Sequence, residues 1–137
     1  IRKIPIVKHK RELFLLRNMS RGKGVGFFDA GNFHPDFILW MLIGGKQYVT
    51  FIEPHGLLHE GPVCEKVLFH KRVKDVEQRL KDPTVILNSF ILSWTQYPQL
   101  KWDKTQDELE DMHVLFMTDG GERYINKLFA KLKGMAH

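Results

Sequence analysis

The chain has 137 residues, enough for one domain with an ordinary core. Its 43% hydrophobic and 27% charged residues exclude a disordered or fibrous chain, and no apolar run approaches the ~20 residues needed to span a bilayer. A single cysteine, Cys64, excludes an internal disulfide framework and points to a reducing, cytoplasmic setting, while a net charge of +5 tilts the expectation toward a polyanionic partner.

The opening IRKIPIVKHKREL has neither a signal-peptide apolar region nor an initiator methionine. We therefore expect one domain over residues 1–137, taken from a longer polypeptide. Residues 12–19 (ELFLLRNM) and 24–30 (GVGFFDA) read as two strands separated by a basic, glycine-rich turn, SRGKG. PDFILWMLIGGKQYVTFIEPHG, residues 35–56, supplies a third and a fourth strand around Gly44-Gly45. Beyond Gly56 the period changes: Phe69, Val73, Val76 and Leu80 form one apolar helix stripe, with Lys71, Arg72, Lys74 and Arg79 off it. Asp82-Pro83 ends that helix. TVILNSFILSW (84–94) is apolar on both faces, as a central strand covered by helices would be. Residues 97–111 read as surface loop with a short helical turn, 113–119 (HVLFMTD) as a further strand, and the stretch from Tyr124 to Leu132 as a closing amphipathic helix stopped near Gly134. The pattern predicts an α/β domain with a mixed β-sheet, an antiparallel meander followed by a crossover helix, flanked by helices.

The hairpin carries chemistry that a structural hairpin does not need. If Gly44-Gly45 is a two-residue turn, paired positions sum to 89, and Asp36 faces Glu53 with Cβ atoms about 5 Å apart. One step outward Pro35 faces Pro54, where neither can donate a ladder bond and the strands should part. Period-2 alternation then gathers His34, Asp36, Glu53 and His55 on one face, followed by Ile38, Trp40, Val49 and Phe51, with Phe37, Leu39, Met41 and Ile52 on the other. Two ionised carboxylates that close repel. Three arrangements relieve this: one acid stays protonated, a lysine or arginine intervenes, or a divalent cation binds. Alternatively, the strand ends simply reach solvent.

A PD, an apolar strand, a turn, a second strand and an E-x-[basic] ending resemble the PD-(D/E)xK nuclease core. LFLLRN, GVGFF, HPDFILW, QYVTFIEPHG and VLFM together resemble the C-terminal endonuclease region of type III restriction enzymes and of related restriction-type DEAD/DEAH helicase proteins. The resemblance implies a restriction-endonuclease-like fold and an endodeoxyribonuclease that hydrolyses DNA phosphodiesters with Mg²⁺ or Mn²⁺. It implies Asp36, Glu53 and the main-chain carbonyl of Pro54 as metal ligands, and a catalytic set of Asp36, Glu53 and His55. It also implies a helicase/ATPase domain upstream in the same chain and a modification subunit as partner. Position 55 departs from the family's lysine, and a histidine is not a permanent cation. The alternative is therefore an inactive domain of the same fold used for DNA binding or subunit contacts.

Arg17, Arg21 and Lys23, around the first turn, are candidate contacts to a DNA backbone, as against a solvated turn. GKGVG lacks the GK[ST] and following helix of a phosphate loop. HGLLHE (55–60) matches neither zinc-protease spacing. Trp40 and Trp94 lie in apolar runs and are expected in the core, leaving Trp102 as the freer contact. Cys64 has no histidine at a recognisable spacing and is not expected to be a nucleophile.

Overall fold

The computed structural model describes residues 2–4, 11–18, 34–62 and 64–134. Four strands come first: β1 (Arg2–Ile4), β2 (Arg11–Arg17), β3 (Phe37–Ile43) and β4 (Lys46–His55). Helix α1 (Glu65–Leu80) leads to β5 (Val85–Ser93), and α2 (Gln106–Asp111) leads to β6 (Val114–Phe116) before α3 (Arg123–Gly134) closes the chain. The sheet order among the described residues is β1-β2-β3-β4-β5-β6, antiparallel through β4 and parallel from β4 to β6. It is a mixed α/β architecture with a mixed sheet flanked by helices. The expected strand over 24–30 lies outside the described residues, and the short strand at Arg2–Ile4 was not expected. No helix of the described residues is long and apolar enough to cross a membrane.

The turn arithmetic holds. Phe37 pairs with Ile52 and Ile43 with Lys46, so every pair sums to 89. Gly44 and Gly45 both take positive φ, 55° and 78°, which a two-residue hairpin needs and glycine adopts without strain.

Alternation along the strands then divides the core. One face carries Leu13, Leu39, Ile52, Phe90 and Leu115 and is covered by Leu128 and Leu132 of α3. The other carries Ile38, Phe51 and Leu87 under Phe69 and Val73 of α1. Burying both faces explains why β3 to β5 read as nearly continuous apolar runs. A third cluster, with Leu57, Val67, Ile91, Leu109 and Phe116, seats the start of α1 and α2 against the parallel end of the sheet. The α1 stripe is buried at Phe69 and Val73, but Leu80 is exposed, so the stripe outruns the sheet by a turn. The helix ends at Lys81, which takes a left-handed conformation and donates its N–H to the Gln78 carbonyl.

The tryptophan expectations are reversed. Trp40 and Trp94 are exposed, whereas Trp102 packs against the third cluster and donates its indole N–H to the Glu60 carbonyl at 2.8 Å. Trp94 follows the last residue of β5, where apolar sequence continues but the sheet does not. Trp40 lies in β3, paired with Phe14 of β2 and Val49 of β4.

Candidate functional site

The site forms where the β3–β4 ladder stops. Phe37↔Ile52 is the last pair, and one step outward the Asp36 N–H meets a carboxylate instead of a backbone carbonyl: it donates to Glu53 Oε1 at 3.2 Å. Gln47 donates its N–H to Thr84 on the β5 side, so odd positions of β4 bond toward β5 and even ones toward β3. Pro54 falls in the even set, and its missing N–H lies where the ladder has already ended. Asp36 is anchored from its other neighbour as well. Its carbonyl accepts from the Asn18 N–H at 2.8 Å, and the Asn18 amide donates to the Pro35 carbonyl at 2.9 Å.

The two acids share the α1 face but differ in environment. Asp36 is exposed, whereas Glu53 is only 6% exposed, under the first turn of α1. Burial pushes the Glu53 carboxyl above its ordinary value, and the Asp36 charge adds to that rise. Lys66 opposes both, with its ammonium 3.3 Å from Glu53 Oε2. Lys66 thus supplies a compensating cation at Glu53.

Lys66 is the residue the sequence reading missed. The stripe legible in the sequence begins at Phe69, yet the helix starts at Glu65. Lys66 lies three residues before Phe69 and seven before Val73, so it belongs to the sheet-facing side of the helix. Phe69 packs edge-on against Phe51 at 6.3 Å, and one step along both elements Lys66 meets Glu53. Extending the stripe back by a turn would have exposed a cation on a buried face.

His55 sits between two partners. The Lys66 ammonium lies 3.4 Å from Nδ1, and Nε2 lies 3.2 Å from Glu60 Oε1. A neutral ring with its proton on Nε2 satisfies both, accepting from lysine and donating to glutamate. Position 55 is therefore a histidine held in place, and the lysine ammonium of this site comes from α1. His34, expected on the same face, is half-buried, and among the described residues its Nδ1 has no hydrogen-bond partner.

The remaining candidates separate from this cluster. Arg17 is exposed, but it pairs with Phe37 and so lies on the face opposite the acids. Arg21 and Lys23 lie outside the described residues. Arg72 pairs with Glu65 at 2.9 Å on the wet side of α1, as expected, whereas Lys74 pairs at 3.1 Å with Glu77, which is part-buried against the Leu87 N–H of β5. Burial pushes the Cys64 thiol up, away from the thiolate a nucleophile needs.

Among the described residues no group of three or more His, Cys, Asp or Glu side chains is arranged as a metal centre. The donors at the rim are instead two carboxylates, Asp36 and Glu53, beside the Pro54 carbonyl. These hard oxygens suit Mg²⁺ or Mn²⁺ better than zinc. One lysine against two carboxylates leaves an excess negative charge, and Glu53 remains pushed upward with Lys66 in place. The group fits a divalent cation on both counts.

No family model matches the chain, and no curated protein or solved structure matches it.

Proposed function

We propose that this domain is a metal-dependent endodeoxyribonuclease with a restriction-endonuclease-like fold, working in the cytoplasm as part of a type III restriction-like protein. The observation that carries the proposal is the buried Glu53 carboxylate, faced by Asp36 across the parting strands and bridged by Lys66 from α1. Asp36, Glu53 and the Pro54 carbonyl would hold Mg²⁺ or Mn²⁺. When bound, the cation polarises the scissile phosphate and lowers the pKa of the attacking water.

The chain's own residues do the rest. Lys66 favours the ionised form of Glu53 against its burial and supplies a fixed positive charge beside the reacting phosphate, the role that position 55 fills in the resembled motif. His55, fixed between Lys66 and Glu60, positions the lysine. Pro35 and Pro54 keep the strands from closing over the rim. An upstream motor domain and a modification subunit are the partners this reading carries with it.

The test is divalent-metal titration together with cleavage of supercoiled plasmid. Mn²⁺ binding and nicking should both be lost in Asp36→Asn and in Glu53→Gln, with cleavage falling by about a hundredfold or more. Binding and cleavage that survive both substitutions would overturn the assignment. Metal-independent DNA binding that neither variant changes would instead favour the inactive module.

A further inference from the structure

On the far side of His55 lies a pocket of about 470 Å³, lined by His55, Leu58, His59, Glu60, Trp94 and Gln99 among others. Its size is in the range of small-ligand sites. We propose that this pocket binds one unstacked nucleobase, with the Trp94 indole as the stacking platform, so that the domain acts on DNA whose nucleotide beside the scissile phosphate is unpaired. This deepens the nuclease proposal above and rests on it for the chemistry next door.

Trp94 is 58% exposed, yet it is not a loose surface side chain. A Cβ at Gly56 would come within 2.6 Å of the indole Nε1 and 3.0 Å of Cε2. Glycine at 56 thus lets the indole lie directly on the backbone, which fixes one side of the ring and leaves the rest to solvent. A pre-positioned aromatic surface loses little entropy when a second ring stacks on it. Beside the apolar Leu58 and Trp94 the walls carry polar groups: the Glu60 carboxylate accepts, the Gln99 amide, whose oxygen already accepts from the Gln96 N–H, donates, and the His59 imidazole can do either. Mixed donors and acceptors suit the edge of a base and do not suit an aliphatic side chain from a protein partner.

Position ties the pocket to the acids. The His55 ring is a wall of the pocket, with its centroid 6.3 Å from that of Trp94, and its Nδ1 faces the lysine that bridges Glu53. A base on Trp94 therefore keeps its own backbone next to the carboxylate rim. A paired base inside a duplex cannot reach the indole without leaving its stack. The site accordingly selects single-stranded, flapped or locally melted DNA.

The experiment compares wild type, Trp94→Ala, Trp94→Phe and Glu53→Gln. Binding of a short oligothymidylate is followed by tryptophan quenching and by anisotropy of a labelled strand, and compared with a duplex of equal length. Oligothymidylate should quench wild-type emission, bind about tenfold more weakly to Trp94→Ala, and bind Trp94→Phe nearly as well as wild type. Glu53→Gln should keep the quenching while losing cleavage. Unchanged affinity in a Trp94→Ala protein of unaltered melting temperature overturns the pocket, and Glu53-dependent cleavage in the same samples would leave the nuclease standing. Trp94-dependent binding without Glu53-dependent cleavage would keep the pocket and overturn the nuclease. Concentration-dependent quenching without DNA would instead mark the Trp94 surface as a protein contact and overturn the proposal.

Discussion

At Glu53 two opposing effects meet in one side chain. Burial and the neighbouring Asp36 favour its neutral form, and Lys66 favours its ionised form. Replacing Lys66 with methionine keeps the aliphatic packing and removes the charge, so Glu53 should take up protons at higher pH than before. The sign follows from linkage. The folded state of the variant binds more protons than the unfolded state between the ordinary value near 4.5 and the raised folded value, so stability falls as pH rises through that window. Lys66→Met should therefore cost about 1–2 kcal/mol at neutral pH, discounted because Lys66 is one-third exposed, and markedly less near pH 4. Urea denaturation at the two pH values checks this, and an equal loss at both would show that the bridge does not set the Glu53 charge. The acid pair was legible from sequence because hairpin pairing is local arithmetic. Lys66 was not, because its meeting with Glu53 depends on where a helix lands on a sheet.

Among the elements, the β3–β4 hairpin places the acids and its turn places the hairpin. Neither Gly44 nor Gly45 has any atom within 4 Å of where a Cβ would stand, so a substitution there meets no clash. The cost is purely that of holding an L-residue at positive φ. Gly45→Val should destabilise by about 1–2 kcal/mol, read as a lowered urea midpoint with unchanged slope. A loss within error of zero would mean that the turn does not govern the register. A one-residue insertion in the turn should do more, since it moves Glu53 to the face opposite Asp36. The tryptophans show where element-level reading fails. Apolar runs predict a strand but not where its partner strands stop, and Trp94 falls one residue past that point.

For the whole molecule, the parallel edge is the place where side chains complete the backbone. Strand β6 reaches only Ile91 to Ser93 of β5, so among the described residues the earlier groups on that edge have no ladder partner. Glu77 of α1 accepts from the Leu87 N–H at 2.6 Å, and the Ser89 carbonyl lies 2.9 Å from His113 Nδ1. His113 stacks on Phe90 at 4.3 Å and lies near His70 and Lys74 of α1 and Lys131 of α3. Burial, opposed by the Ser89 hydrogen bond and aided by smaller contributions from His70, Lys131 and Lys74, pushes its pKa down to about 4. The folded state thus holds His113 neutral where the unfolded chain would protonate it. That stability is fully present above pH 6.5 and is lost as pH falls toward 4, amounting to about 3 kcal/mol. His113 occupies a left-handed conformation, φ 64°, that asparagine tolerates well. His113→Asn should flatten this acid limb in thermal or urea denaturation between pH 4 and 7, and an unaltered limb would rule out His113 as its source.

The sequence by itself placed strands β2 to β6 and the three helices, though not β1, and it determined the hairpin register. Helix and strand periods, a Gly-Gly turn and two prolines act over a few residues, and they placed Asp36 opposite Glu53 without reference to the rest of the chain. Only the tertiary structure decided what surrounds those acids. Which helix turn covers Glu53, which lysine reaches it, and which tryptophan stands in solvent all depend on how far each element overlaps its neighbours. That overlap is set by packing between segments distant in sequence, on which no local pattern reports.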